Sequence, residues 1–302
     1  SHYALPLVAG RTVSAMTLYM LRDPEGPWRQ QIERVVAALN KLAIHEGDFA
    51  YFPQGAFVPG GPRPSRAEIP QGIWSSLAGW TTQGLAHFGR VAAHEPALEL
   101  AGRFSRYIAY HGQYYGPQGE FLPDHAGFAH SPAPPGVYPF DPGPLPPPPD
   151  KNTAHFQHHM VPLLGMLDYA LAAGDREIAD FVRRSFEWAR TKEGGEGMVG
   201  YFPEDIDNTE FEPSETCEVA GMIGLALKLS HAGLGDYWDD ADRWVRNQFA
   251  ESQLRRADWI NQMHMGGLVF PYRPVPLSRV VEGVETTDRV AERSIGAFAG
   301  SA

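Results

Sequence analysis

The densest group of reactive side chains in the sequence is Pro213-Ser214-Glu215-Thr216-Cys217-Glu218, which contains the only cysteine among 302 residues. A carboxylate and a thiol two positions apart can share a metal ion or pass a proton. An apolar run from Val219 to Leu229 follows, so the group sits where a helix begins. Ser214 is the expected N-cap behind Pro213, and Glu215 and Glu218 suit the positive end of that helix. A plainer role stands beside the chemical one. Glu215 is then a first-turn acid and Cys217 a small buried residue, with Cys217, Ala220, Gly221 and Gly224 forming a stripe for close helix packing.

Just upstream lies a carboxylate-rich stretch: Glu196, Glu204, Asp205, Asp207, Glu210 and Glu212. Cleaving a glycosidic bond takes one acid to protonate the leaving oxygen and a second group across the bond, commonly another carboxylate. Tyr201-Phe202-Pro203 would place Glu204 in apolar surroundings, which raises a carboxyl pKa. A solvated acidic loop is the commoner fate of such a cluster. Further back, His155-Phe156-Gln157-His158-His159 opens another helix, with a cap expected at Asn152 or Thr153. His155 and His159 are four apart, a spacing that suits metal binding on one helix face, although no third ligand is identifiable from spacing. For His155 and His158, hydrogen bonding to sugar hydroxyls is preferred over a metal, with simple packing an equal alternative. Trp74, Trp80 and Tyr201 are candidates to stack on a sugar ring, though most aromatics in such helices are core.

These residues have to be positioned by helices. Apolar spacing predicts four helical hairpins: 11–21 with 28–44, 73–93 with 97–110, 153–172 with 176–190, and 214–231 with 237–253. The turns Ala173-Gly174-Asp175 and Ala232 to Asp236 both stop a helix at glycine and restart one after aspartate. Residues 50–70 read as a long aromatic loop. Ten of the 27 prolines fall between 131 and 150, an extended segment read as a surface loop crossing the mouth of a site. The predicted architecture is all-α: a single domain over 1–302 forming an α/α toroid of hairpins, (α/α)6 barrel-like. A closed ring needs twelve helices and about eight are readable, so an incomplete ring is expected.

Composition narrows the partners. At 43% hydrophobic the chain can bury a full core, and no apolar run is long enough to span a bilayer. A net charge of −11 argues against a nucleic-acid backbone as the main partner. No membrane partner is expected, and the oligomeric state is undetermined. A lone cysteine forms no intrachain disulfide and leaves the compartment, cytoplasmic or secreted with its signal peptide removed, undetermined.

Glu215-Thr216-Cys217 at a helix start, with Gly194-Gly195-Glu196-Gly197 before it, resembles the β-L-arabinofuranosidase-type glycoside hydrolases, which have an (α/α)6 catalytic barrel. The resemblance implies a glycoside hydrolase acting on plant or microbial polysaccharide fragments. In that family a zinc ion is held by the Glu and Cys of Glu-Thr-Cys and two further cysteines, one of them the nucleophile, while an upstream glutamate is the acid/base. Carried over, Glu215 and Cys217 become zinc ligands and Glu196 the acid/base. This chain has no second or third cysteine, so zinc would need ligands from elsewhere, and we expect the chain to be truncated before the family's cysteine pair. Two other readings stay open: a non-catalytic carbohydrate-binding helical domain, and a polysaccharide lyase or unsaturated-uronide hydrolase on a similar toroid.

Overall fold

The structure is a computed structural model describing residues 6–52, 74–123, 154–194, 198–206, 214–258 and 289–298. Four helix pairs carry it: α1 (Pro6–Arg22) with α2 (Trp28–Leu42), α3 (Trp74–Ala92) with α4 (Glu95–Arg106), α5 (Phe156–Ala173) with α6 (Arg176–Arg190), and α7 (Thr216–His231) with α8 (Trp238–Trp244). The proline-rich segment lies outside the described residues.

The odd-numbered helices pack against one another in sequence, α1 on α3, α3 on α5 and α5 on α7, and each also packs on its own hairpin partner. They form an inner layer with α2, α4, α6 and α8 outside, which is the predicted toroid arrangement of hairpins. Burial follows the layers. Outer α6 buries a single stripe, Ile178, Ala179, Phe181, Val182, Ser185, Phe186 and Ala189, at the spacing of one helix face. Inner α5 is buried on nearly every side because it has neighbours on three.

Inner helices crowd where glycines remove side chains. A Cβ on Gly79 of α3 would lie 2.6 Å from Pro162 N on α5, and one on Gly165 would lie 2.4 Å from Gly79 O. The small-residue stripe of α7 is looser: a Cβ on Gly221 would meet Met160 Cβ at 3.4 Å, an ordinary contact, and one on Gly224 would meet Leu164 Cδ2 of α5 at 3.3 Å.

Connections within a hairpin are short, whereas those leading into inner helices are long: 43–73, 112–155 and 191–215. These three long connections therefore arrive at the N-terminal ends of α3, α5 and α7. The turn at Gly174 forms as predicted: its φ of +70° is the left-handed conformation glycine favours, and Asp175 accepts from Ile178 N at 3.2 Å. The turn after α7 differs, since α8 begins at Trp238 with Tyr237 before it, whose N–H donates to Ser230 Oγ at 2.8 Å.

Two small antiparallel pairs were not expected. Strands β1 (Ile44–Glu46) and β2 (Phe49–Tyr51) form a hairpin at the start of the loop read as irregular. Strands β3 (Ala154–His155) and β4 (Asp205–Ile206) pair across about fifty residues of chain, with Ala154 and Ile206 both buried. The second pair builds the site.

Candidate functional site

Pairing of β3 with β4 sets His155 opposite Asp205, and the Phe156 N–H donates to Glu204 O at 2.8 Å. Glu204 is thereby held beside the first residue of α5. Phe202, two positions earlier, is fully buried between Phe156 and Trp244, with ring centroids 5.2 and 5.3 Å away. The Tyr201-Phe202-Pro203 segment thus anchors Glu204 through Phe202. Tyr201 itself is half-buried, and its carbonyl accepts from Gly194 N at 2.8 Å.

On the neighbouring inner helix the N-cap is Glu215, one residue later than Ser214. Glu218 is fully buried, and its Oε2 accepts from Glu215 N at 2.9 Å, the reciprocal cap that two acids three apart provide. Cys217, 4% exposed, donates its thiol hydrogen to Glu215 Oε2 at 3.2 Å.

The N-terminal ends of α5 and α7 therefore meet, and His155, Glu204 and Glu215 come together there. One ligand-type atom from each lies within 4.8 Å of the others, and His155 Nε2 is 3.9 Å from Glu204 Oε1. The His155 and Glu204 side chains are 17% and 32% exposed, and Glu215 is open to solvent. His158 stacks on His155 with ring centroids 4.1 Å apart. Partial positive charge from two helix N-termini favours carboxylates at this point.

His155 and His159, whose spacing suits a metal on one helix face, are not brought together as ligands among the described residues. His155 has extended backbone ahead of the helix, with φ −71° and ψ 118°, so a spacing of four does not put it on the helix face. His159 is fully buried, stacked on Phe121 with centroids 4.8 Å apart, and its Nδ1 meets His155 O at 2.9 Å. Trp80 lies apart, with the Arg11 guanidinium 3.8 Å above its ring. Trp74 begins α3, its side chain outside the described residues, as is Glu196.

Sequence reasoning missed Glu193. Its Oε1 accepts from Gly200 N at 2.7 Å and from Trp244 Nε1 at 2.8 Å, which ties the loop after α6 to α8. No local pattern marks such a residue, because its partners are seven and about fifty positions away.

Zinc, implied by the arabinofuranosidase resemblance, can be tested against the donors present. A three-thiolate site is not available with one cysteine. An imidazole and two carboxylates do fit the ion's preference for nitrogen and oxygen donors as well as sulfur.

The fold makes this chain an α/α toroid protein. Among solved structures it is similar to a GH76 α-mannanase of Bacteroides thetaiotaomicron, with 12% identity over 82% of this chain and 60% of that one, at a TM-score of 0.57. It is also similar to a cellobiose 2-epimerase from Bacillus thermoamylovorans, with 11% identity over 80% of this chain and 59% of the other, at a TM-score of 0.54. The chain thus spans about three fifths of each. No protein-family model and no curated protein matches it. Among the described residues no helix is long and apolar enough to cross a membrane.

Proposed function

We propose that this chain is a carbohydrate-processing enzyme, a glycoside hydrolase of the β-L-arabinofuranosidase-like kind acting on oligosaccharides from plant or microbial polysaccharides. The observation that carries the reading is the convergence of His155, Glu204 and Glu215 at the long-loop end of the toroid. A mannanase and an epimerase of a disaccharide on the same fold support it.

In this reading Glu196 protonates the departing oxygen as the glycosidic C–O bond breaks, and recovers its proton from the water that replaces the leaving group. Glu204 is the carboxylate serving the opposite side of the bond. His155, His158, Trp74 and Tyr201 hold the sugar by hydrogen bonds and ring stacking. Zinc at Glu215 and its neighbours, when bound, would supply a Lewis acid to the same site.

The test is release of aryl alcohol from a panel of aryl glycosides that includes the β-L-arabinofuranoside and the α-mannoside. Glu196→Gln and Glu204→Gln should each lower kcat by about a hundredfold or more. Unchanged turnover in both variants removes these two assignments. Saturable oligosaccharide binding without hydrolysis would make the domain a binding module, and an ultraviolet absorbance rise from new double bonds would make it a lyase.

A further inference from the structure

One imidazole and two carboxylates reach a common point from three separate segments: strand β3, the residue before β4, and the N-cap of α7. We propose that His155, Glu204 and Glu215 bind a divalent transition-metal cation of the zinc class, and that the Cys217 thiol is a positioning group behind Glu215, outside the ligand set. The inference does not rest on the sugar reading, and in the metal-bound protein Glu204 and His155 are ligands in place of the reacting carboxylate and sugar contact of that reading.

The donor geometry suits such an ion. Ligand atoms around a tetrahedral zinc at about 2.0–2.1 Å from the metal stand roughly 3.3 Å apart. His155 Nε2 and Glu204 Oε1 are 3.9 Å apart, too far for a hydrogen bond, and all three atoms lie within 4.8 Å. Sharing one ion would draw His155 Nε2 and Glu204 Oε1 together by about 0.6 Å. Three protein ligands leave a fourth position open, the pattern of reactive zinc sites. Three ligands of this kind fall short of the six to eight oxygens that calcium takes.

Charge points the same way. Two helix N-termini contribute about half a positive charge each, against two carboxylates, so the point stays net negative and attracts a cation. The supports are also in place. Backbone pairing locks Glu204 beside His155, while Glu218 fixes the Glu215 backbone and the Cys217 thiol fixes its carboxylate. The Cys217 Sγ is not among the ligand-type atoms that lie within 4.8 Å of one another, and stands instead 3.2 Å from Glu215 Oε2. That is the part a supporting residue plays around a metal ligand.

The test uses the 302-residue chain, stripped with a chelator and titrated with Zn2+ by calorimetry, with bound metal counted by elemental analysis. One zinc per chain is expected. His155→Ala and Glu204→Gln should each weaken binding by about tenfold or more, the loss typical of even a supporting residue. Cys217→Ser should keep the stoichiometry, and the Co2+ complex of the parent should lack a thiolate-to-metal charge-transfer band. Circular dichroism checks folding, and the isosteric Glu204→Gln keeps the test decisive if His155→Ala unfolds. The proposal is overturned if the parent shows no saturable zinc binding, or if both ligand variants bind like the parent. A charge-transfer band that disappears in Cys217→Ser would also overturn it, by making the thiol a ligand. No sugar enters any arm, so its failure is separate from failure of the hydrolase reading.

Discussion

Glu218 controls the site without reaching its centre. It is fully buried, and its carboxylate accepts from the N–H of Glu215, so the Glu215 side chain leaves the helix end in a fixed direction. Glu218→Ala removes the cap and should lower stability by about 1–2 kcal/mol in urea unfolding, with Glu218→Gln losing less because its amide oxygen still accepts. Equal stability in all three proteins would mean that the cap contributes nothing. At this scale the sequence was partly legible. Glu215 and Cys217 could be placed at a helix start because an apolar run follows them. The cap register was missed by one residue, since the Glu215 and Glu218 pair, three apart, outcompetes the Ser214 hydroxyl. That His155 meets Glu204 was not legible at all, because the contact depends on two-residue strands about fifty positions apart.

Among the elements, outer and inner helices were both placed from sequence, but by different signals. An outer helix has one dry face, and its apolar residues show the 3.6-residue period; α5 and α7, dry nearly all round, show only a run. What marks an inner helix is small residues at its crossings, and this yields a prediction that separates two kinds of glycine. At Gly165 the obstacle is packing, because a new Cβ would meet the Gly79 carbonyl at 2.4 Å and the α3–α5 backbones would have to separate. Gly165→Ala should destabilise by about 2 kcal/mol or more. Gly174 has nothing within 4 Å of a Cβ, and its obstacle is a φ of +70°. Gly174→Ala should lose only about 1 kcal/mol, the penalty of the left-handed conformation. Thermal unfolding of both variants checks the ordering, and a larger loss at Gly174 would contradict the crossing described for α3 and α5.

For the whole molecule, the question is what holds the outer layer together, since each outer helix packs mainly inward. Tyrosines answer it in part. Tyr110, in the widened turn that continues α4, hydrogen-bonds Glu177 on α6, and Tyr237, at the start of α8, donates to Glu187 on α6 at 2.5 Å. Burial, then the bond to its glutamate, pushes each phenol up to about 12. A folded-state pKa above the ordinary 10 means that the folded chain keeps protons the unfolded chain has released. The resulting stabilisation is complete below pH 10 and is lost as the pH rises towards 12. For Tyr237, 5% exposed, the loss across that window is on the order of 2 kcal/mol, whereas Tyr110, 44% exposed, contributes less because solvent screens it. The same window strips protons from lysines of a chain already at −11, so self-repulsion adds to the loss. Stability measured by urea unfolding should therefore fall steeply between pH 10 and 12. Tyr237→Phe should begin less stable at pH 8 and show a shallower fall, because its phenol can no longer ionise in the unfolded chain. A parent and variant with parallel pH profiles would show that the α6–α8 tyrosine does not link the outer layer to the titration.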